Sequence, residues 1–332
     1  MTALTPAEFA PQKAIWTAWP SLNWPDEKLA TVRREVGGMV LALAETEKVK
    51  LLAAGTDAFE SAAKALEGKK ANIDIIGIPY GDVWLRDTGP IFGRDAHGRA
   101  VANCFRFNGW GEKFIYEGDE EVGGKIAAIS GALVKKHDFI LEGGSVDMDG
   151  EGTCLTTRQC LLNKNRNKGF SEGKAEAALR ASLGVEKLIW IDEGLAGDHT
   201  DGHIDNIARF VAPGMVVCQS PSGGNDPNAE TLVNIEKTLR AAVDAKTRKL
   251  NVVTFPGPGL VTDAEGDPIP ASHMNFIIGN KTVVVPVYNE HGVKAVHALA
   301  QIFPTRKIVG VEANTLLTEG GSFHCITQQE PL

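Results

Sequence analysis

The chain has 332 residues, 43% hydrophobic and 23% charged, which is enough for one large or two ordinary soluble domains with a full core. Its formal net charge of −8 argues against a nucleic-acid binder, which shows a basic footprint, and no apolar run approaches the ~18 residues of a membrane helix. Five cysteines without a CxxC pair, and a start at Met1–Ile15 that lacks the apolar core of a signal peptide, predict a reduced, cytoplasmic protein.

Helical and strand patterns alternate along the chain. Val32, Val36, Met39 and Leu43 share one face of a helix beginning near Asp26, followed by a strand over Val49–Ala53. Asp57 and Glu60 suggest a capping box for a second helix that stops at Gly68. Strands are predicted at Ile73–Ile78 and Val101–Phe107, then a helix capped by Ser171 and ended by Gly184, and a strand at Lys187–Ile191. After a strand at Met215–Cys218, a helix starts at Asp226 or Asn228 and runs toward Ala245, before a strand at Leu250–Phe255. Pro256–Pro270 reads as a loop. Gly279-Asn280 marks a hairpin between Met274–Ile278 and Lys281–Val285. A last helix over His291–Phe303 stops at Pro304, ahead of a strand at Lys307–Val311. The alternation makes an α/β protein, and no Ser/Pro/Gly-rich linker divides residues 1–332, so one catalytic domain is expected. Glu142-Gly143-Gly144-Ser145 reappears as Glu319-Gly320-Gly321-Ser322, a hint of repeated architecture, while the GxGxxG and P-loop frames of nucleotide binders are absent.

Four segments join glycine to chemistry-bearing side chains: Trp84–Pro90, Leu141–Gly144, Asp198–Asn206 and the tail around Cys325. Glycine admits close backbone approach to a ligand, and acid, imidazole and thiol supply charge recognition, proton transfer and a nucleophile. A lone cysteine is most often inert core, but a glycine-shaped, amide-rich chain end is one that must dock, because ordinary ends fray. His199 and His203, four apart with Asp205 beyond, raise a metal site, yet Thr200 replaces the Glu of the zinc-protease pattern and Gly202 weakens a helix there. A thiol hydrolase with Cys325 and His203 explains those two residues but not the carboxylates, which make a thiolate harder to form. A cationic guanidinium substrate explains all of them, because paired carboxylates match its fork of N–H donors.

At this point the sequence resembles the agmatine deiminases and the related bacterial peptidylarginine deiminases of the guanidine-modifying superfamily. The motifs run nearly end to end: Thr17-Ala18-Trp19-Pro20, Asp82–Pro90, Phe107–Gly111, Leu141–Ser145, Asn163–Asn167, Thr200–Asn206, Asn275-Phe276 and His324–Gln329. The resemblance implies a five-bladed α/β propeller (the pentein fold) with its site on the pseudo-fivefold axis. It also implies Cys325 as nucleophile, His203 as general acid and base, Asp87 and Asp205 gripping the guanidinium, and Glu142 pairing with His203 or the substrate. No metal or organic cofactor is implied; the partner is a small cationic guanidine, and self-association is left open.

Two departures bear on the substrate. Relatives carry Glu before Thr-Asp-Gly-His, to meet a distal amine, where this chain has His199 after Asp198; Glu112 replaces a glycine after Trp110-Gly111 and offers a negative charge instead. Agmatine leads, with arginine or peptidyl-arginine as the rival; an arginine-type substrate needs a cationic clamp for its carboxylate, for which Arg86, Arg106 and Arg166 are candidates. Trp84 and Trp110 read first as core and second as a stacking wall for a cationic substrate. Asp87 could pair locally with Arg86, His324 reads as structural, and Cys104, Cys154, Cys160 and Cys218 as inert core. A silent guanidine-binding protein and a metal hydrolase are the readings from other classes.

Overall fold

The computed structural model describes residues 4–21, 23–68, 70–223 and 225–332. Five small sheets recur with one plan: a short strand pairs antiparallel with a second, and the chain then crosses over to a third that runs parallel to the second. Four of them follow in order. The first is Ile91–Arg94, Ala100–Arg106 and Leu133–Ile140; the second is Val146–Met148, Thr153–Thr157 and Lys187–Ile191. The third is Ala208–Ala212, Met215–Ser220 and Asn251–Pro256; the fourth is Ile277–Ile278, Thr282–Val287 and Lys307–Glu312. Helices Asp119–Ser130, Glu172–Leu183, Ala229–Ala241 and Gly292–Ile302 lie within the four crossovers. This is the five-bladed α/β propeller expected of a pentein.

The fifth blade joins the two ends of the chain. Thr327–Pro331 lies antiparallel on Gln12–Ala18, with Trp16 opposite Gln328 and Thr17 opposite Thr327. Val49–Ala53 and Ile73–Gly77 extend it in parallel through helices Asp26–Ala44 and Gly55–Ala65. The expected docking of the carboxyl end is thus the closure of the ring.

Local sequence accounts for most elements. Val32, Val36, Met39, Val40 and Leu43 make the buried face of the first helix, and Asp26 and Glu27 sit favourably at its positive end. Ser171 accepts the Lys174 N–H, and Gly184 ends the same helix at φ 75°. The capping box at Asp57 is not formed. That helix begins at Gly55 without a side-chain cap, and Asp57 is held by Arg33 instead. The helix expected to reach Ala245 stops at Ala241, because Asp244 binds the Lys246 and Arg248 N–H groups in a turn. The two Glu-Gly-Gly-Ser segments are not equivalent: Glu142 lies four residues before the first strand of its blade, Glu319 eight before. The architecture repeats, but not at those residues.

Candidate active site

The turns entering the first strands of the five blades carry the chemistry. Asp87 precedes Ile91, Glu142 precedes Val146, His203 and Asp205 precede Ala208, Asn275 precedes Ile277, and Cys325 precedes Thr327. The plan of the blade therefore brings together residues some 240 positions apart in sequence.

Cys325 is buried, and Asn275 fixes it. The Asn275 Oδ1 accepts the backbone N–H groups of His324 (2.9 Å) and Cys325 (3.2 Å), while its Nδ2 lies 3.2 Å from Cys325 Sγ. Asp205 Oδ2 stands 3.7 Å from the same sulfur. Burial, and then the charges of Asp205 and Asp87, push the thiol well above its ordinary pKa, against the N–H groups of Ser322 and Asn275.

Asp87 Oδ2 accepts Trp110 Nε1 at 2.9 Å and its Oδ1 accepts the Gly144 N–H at 2.8 Å. Burial raises its pKa, with Asp205 and Glu142 adding to the effect and His203 opposing it. His203 is fully buried, its Nδ1 3.8 Å from Asp87 Oδ2. Burial alone would lower its pKa, but Asp87, then the Cys160 thiol and Asp205, carry it well above the ordinary imidazole range. Among the described residues neither ring nitrogen of His203 finds a hydrogen-bond partner, nor does Asp205 Oδ1. Buried polar atoms left so cost ~1–3 kcal/mol each, which marks a place where a polar ligand belongs.

A second layer holds this one. Asp205 Oδ2 and Glu8 Oε2 accept the two ring nitrogens of His324, both at 2.7 Å. Arg209 binds Asp147 and the same Glu8 carboxylate, and Arg86 reaches Gln328 (3.0 Å) and Gln329 (2.7 Å). Burial would raise the pKa of Asp205, but His324, then His203 and Arg209, outweigh it and hold the carboxyl below its usual value. The two carboxyls are therefore shifted in opposite directions, Asp205 down and Asp87 up.

A cavity of about 120 Å³ reaches this group. Trp84, Asp87, Trp110, His199, Glu319 and Cys325 are among its walls. Trp110 takes φ 55°, a conformation uncommon for a non-glycine residue, and its bond to Asp87 shows what holds the indole there.

A family model described as Porphyromonas-type peptidyl-arginine deiminase matches residues 4–331. The agmatine deiminase of Stutzerimonas stutzeri is 36% identical over 352 residues, covering 98% of this chain and 95% of that one. This chain belongs to that family. The solved structure of the Enterococcus faecalis agmatine deiminase superposes with TM-score 0.92 at 33% identity, over 99% of this chain and 96% of that one. An agmatine deiminase of C. jejuni with a Cys-to-Ser change and substrate bound gives 0.89 at 30%, over 99% and 96%.

Against the family pattern read from the sequence, the structure brings Cys325, His203, Asp87 and Asp205 together and puts Trp84, Trp110 and His199 on the cavity wall. Asp198 is not available to a substrate: it accepts the Thr200 N–H and hydroxyl and the Asn206 amide, and so shapes the loop. Glu112 faces a different groove, of about 800 Å³, along the edge strand Leu133–Ile140. Asp87 does not pair with Arg86, whose guanidinium points the opposite way, to the tail. Glu142 accepts Arg166 Nε at 2.6 Å, and its carboxylate, the Cys160 thiol and a His203 nitrogen lie within 4.8 Å of one another. Cys160, buried as expected of a core cysteine, thus borders the site, and Cys104, only half-buried, lines the outer groove. His199 does not join His203 and Asp205 in a metal-binding group; among the described residues the one such trio is Glu142, Cys160 and His203, and Arg166 already occupies its carboxylate.

Sequence reasoning missed Asn275, Glu8 and Glu319. Asn275 stood in a quoted motif and Glu319 in the repeated Glu-Gly-Gly-Ser segment, each with no role attached; Glu8 has no local pattern. Gly144, by contrast, is explained: a Cβ there would lie 2.5 Å from His203 Nδ1 and 3.0 Å from Asp87 Oδ1. Gly144→Ala is expected to lower kcat/KM by on the order of 10²-fold through this displacement, measured by steady-state kinetics beside a thermal melt; unchanged kinetics would refute the close packing.

Proposed function

We propose that this protein is an agmatine deiminase, hydrolysing agmatine to N-carbamoylputrescine and ammonia through a covalent amidino-cysteine. The observation that carries the reading is a buried thiol that shares its cavity with Asp87 and lies beside Asp205, next to an imidazole whose nitrogens have no hydrogen-bond partner among the described residues.

In the reading, the guanidinium enters with its positive charge between Asp87 and Asp205 and lowers the pKa of the Cys325 thiol, whose proton leaves to solvent. The thiolate adds to the guanidinium carbon, giving a neutral tetrahedral adduct. Imidazolium His203 gives its proton to one amino group, the C–N bond breaks and ammonia departs, leaving a cationic S-alkylthiouronium on Cys325. Neutral His203 then takes a proton from water as the hydroxide adds to the same carbon. Collapse of that adduct breaks the C–S bond, forms the ureido carbonyl and returns the hydroxyl proton to the thiol. The raised pKa of His203 supports its starting as the acid, and Asp205 keeps its charge throughout.

Arginine is disfavoured by the same packing. A substrate carboxylate needs a free cation, yet Arg166 spends its guanidinium on Glu142, Asp201 and the Thr200 carbonyl, and Arg86 on the tail and Glu8. Arg106 is exposed beside Asp138 in the outer groove. Ammonia release from agmatine and from L-arginine, with purified protein, tests the proposal. Turnover of agmatine well above arginine is expected. The reverse preference would move the protein to the arginine branch, and silence on both would overturn the reading.

A further inference from the structure

We propose that Glu319 is the anchor for the substrate's distal ammonium, and that Lys28 holds this carboxylate until the substrate displaces it. The inference rests on the agmatine reading and adds the residue that selects a tail bearing an amine.

Among the described residues, Glu319 is the one carboxylate on the cavity wall besides Asp87. Asp87 belongs to the thiol end, where it meets Trp110 and Gly144. Position 199 offers an imidazole, Asp198 is consumed by its own loop, and Glu112 lies in the outer groove. The aromatic rings of Trp84, Trp110 and Phe114 suit a methylene chain running between the two acids.

The backbone fixes Glu319 in place. It leaves the short helix Asn314–Leu317 and is followed by Gly320 and Gly321, both pressed against the wall. A Cβ on Gly320, at φ 102°, would lie 2.8 Å from the His199 ring, and one on Gly321 would lie 2.4 Å from Trp84. No other residue type permits the approach, so the double glycine seats the acid beside the cavity.

Its present partner is exchangeable. Lys28 Nζ lies 2.6 Å from Glu319 Oε1 and 3.0 Å from the Thr318 hydroxyl, and the two charged side chains are 34% and 32% exposed. A pair in that setting is weak and screened by salt. An incoming ammonium, held at its other end by Asp87 and Asp205, competes with it at small cost.

Steady-state kinetics with agmatine, 1-butylguanidine and L-arginine on wild type, Glu319→Gln, Glu319→Asp and Lys28→Ala test the assignment. In E319Q the preference for agmatine over butylguanidine is expected to fall roughly 10- to 100-fold, the weight of one charged hydrogen bond, chiefly through KM. E319D should recover part of it. K28A should lower KM for agmatine at low salt by freeing the acid. An equal loss on agmatine and butylguanidine would mean that Glu319 is only structural, and an unchanged preference would also overturn the proposal. Loss of arginine turnover in K28A, without gain on agmatine, would show that the pair receives a zwitterion instead. Wild type inert toward agmatine would remove the underlying reading, an outcome distinct from an E319Q variant that behaves as wild type.

Discussion

Cys325→Ala is expected to bind guanidines and release no ammonia, with kcat down by on the order of 10⁴-fold or more, as for other covalent nucleophiles. Cys218→Ala, in the third blade and away from the cavity, should stay within about twofold. The more telling part is the state of the thiol before substrate arrives. Burial and the charges of Asp205 and Asp87 favour the neutral form, so the pKa in the free enzyme is raised and the group is protonated at pH 7. A guanidinium placed between those carboxylates reverses the sign, stabilising the thiolate and lowering that pKa. Thiolate absorbance of wild type minus C325A, followed against pH, should show an inflection above the ordinary ~8.5 for the free enzyme and a lower one with an unreactive guanidine bound. A free-enzyme inflection well below ~8.5 would mean that the protein activates its own nucleophile, and substrate-assisted ionisation would be wrong.

How much of this could be read from the residues varies with what each element rests on. Helices with a clean apolar stripe, such as Asp26–Ala44, and strands bounded by turn residues, such as Lys187–Ile191, show themselves locally. Most first strands of the blades do not. Val146–Met148 is too short for periodicity, whereas Ile277–Ile278 shows itself only through the Gly279-Asn280 turn that follows it. A second strand, Thr153–Thr157, is threonine-rich yet wholly buried. Thr327–Pro331 looks like a polar tail, but Gln328 and Glu330 are buried because their oxygens accept from Arg86 and from Trp16, Lys13 and Lys50 respectively. The five-bladed plan came from resemblance, since no local pattern encodes which strand pairs with which. For the site, residue chemistry together with resemblance found the groups around the reacting carbon. It failed for those whose meaning is a partner far away in sequence: Glu8 beneath His324, Arg166 on Glu142, and Glu319 against Lys28. Asp198 misled for the complementary reason, since an acid beside a glycine-rich motif can serve the loop and never face the ligand.

Deleting the residues after Ile326 should abolish turnover, and the structure says by what route. The deletion removes the strand that pairs with Gln12–Ala18 and closes the ring, and it strips Trp16, Lys13 and Lys50 of the Glu330 carboxylate. It also leaves the buried Arg86 guanidinium without Gln328 and Gln329. That last loss leads directly to the nucleophile, because the Arg86 N–H donates to the Cys325 carbonyl at 3.0 Å and its Nε to that of His324 at 3.3 Å. Since the truncated chain could simply fail to fold, the double variant Gln328→Ala/Gln329→Ala separates the effects. It keeps the strand's backbone pairing and removes only the two acceptors, each worth ~1–3 kcal/mol to a charged donor. A melting temperature lower by several degrees is expected, together with a loss carried mainly by kcat, as fits a displaced sulfur rather than a weakened substrate grip. If the double variant loses stability while kcat and KM hold, the tail closes the ring without positioning Cys325. A truncated enzyme with full turnover would refute both roles.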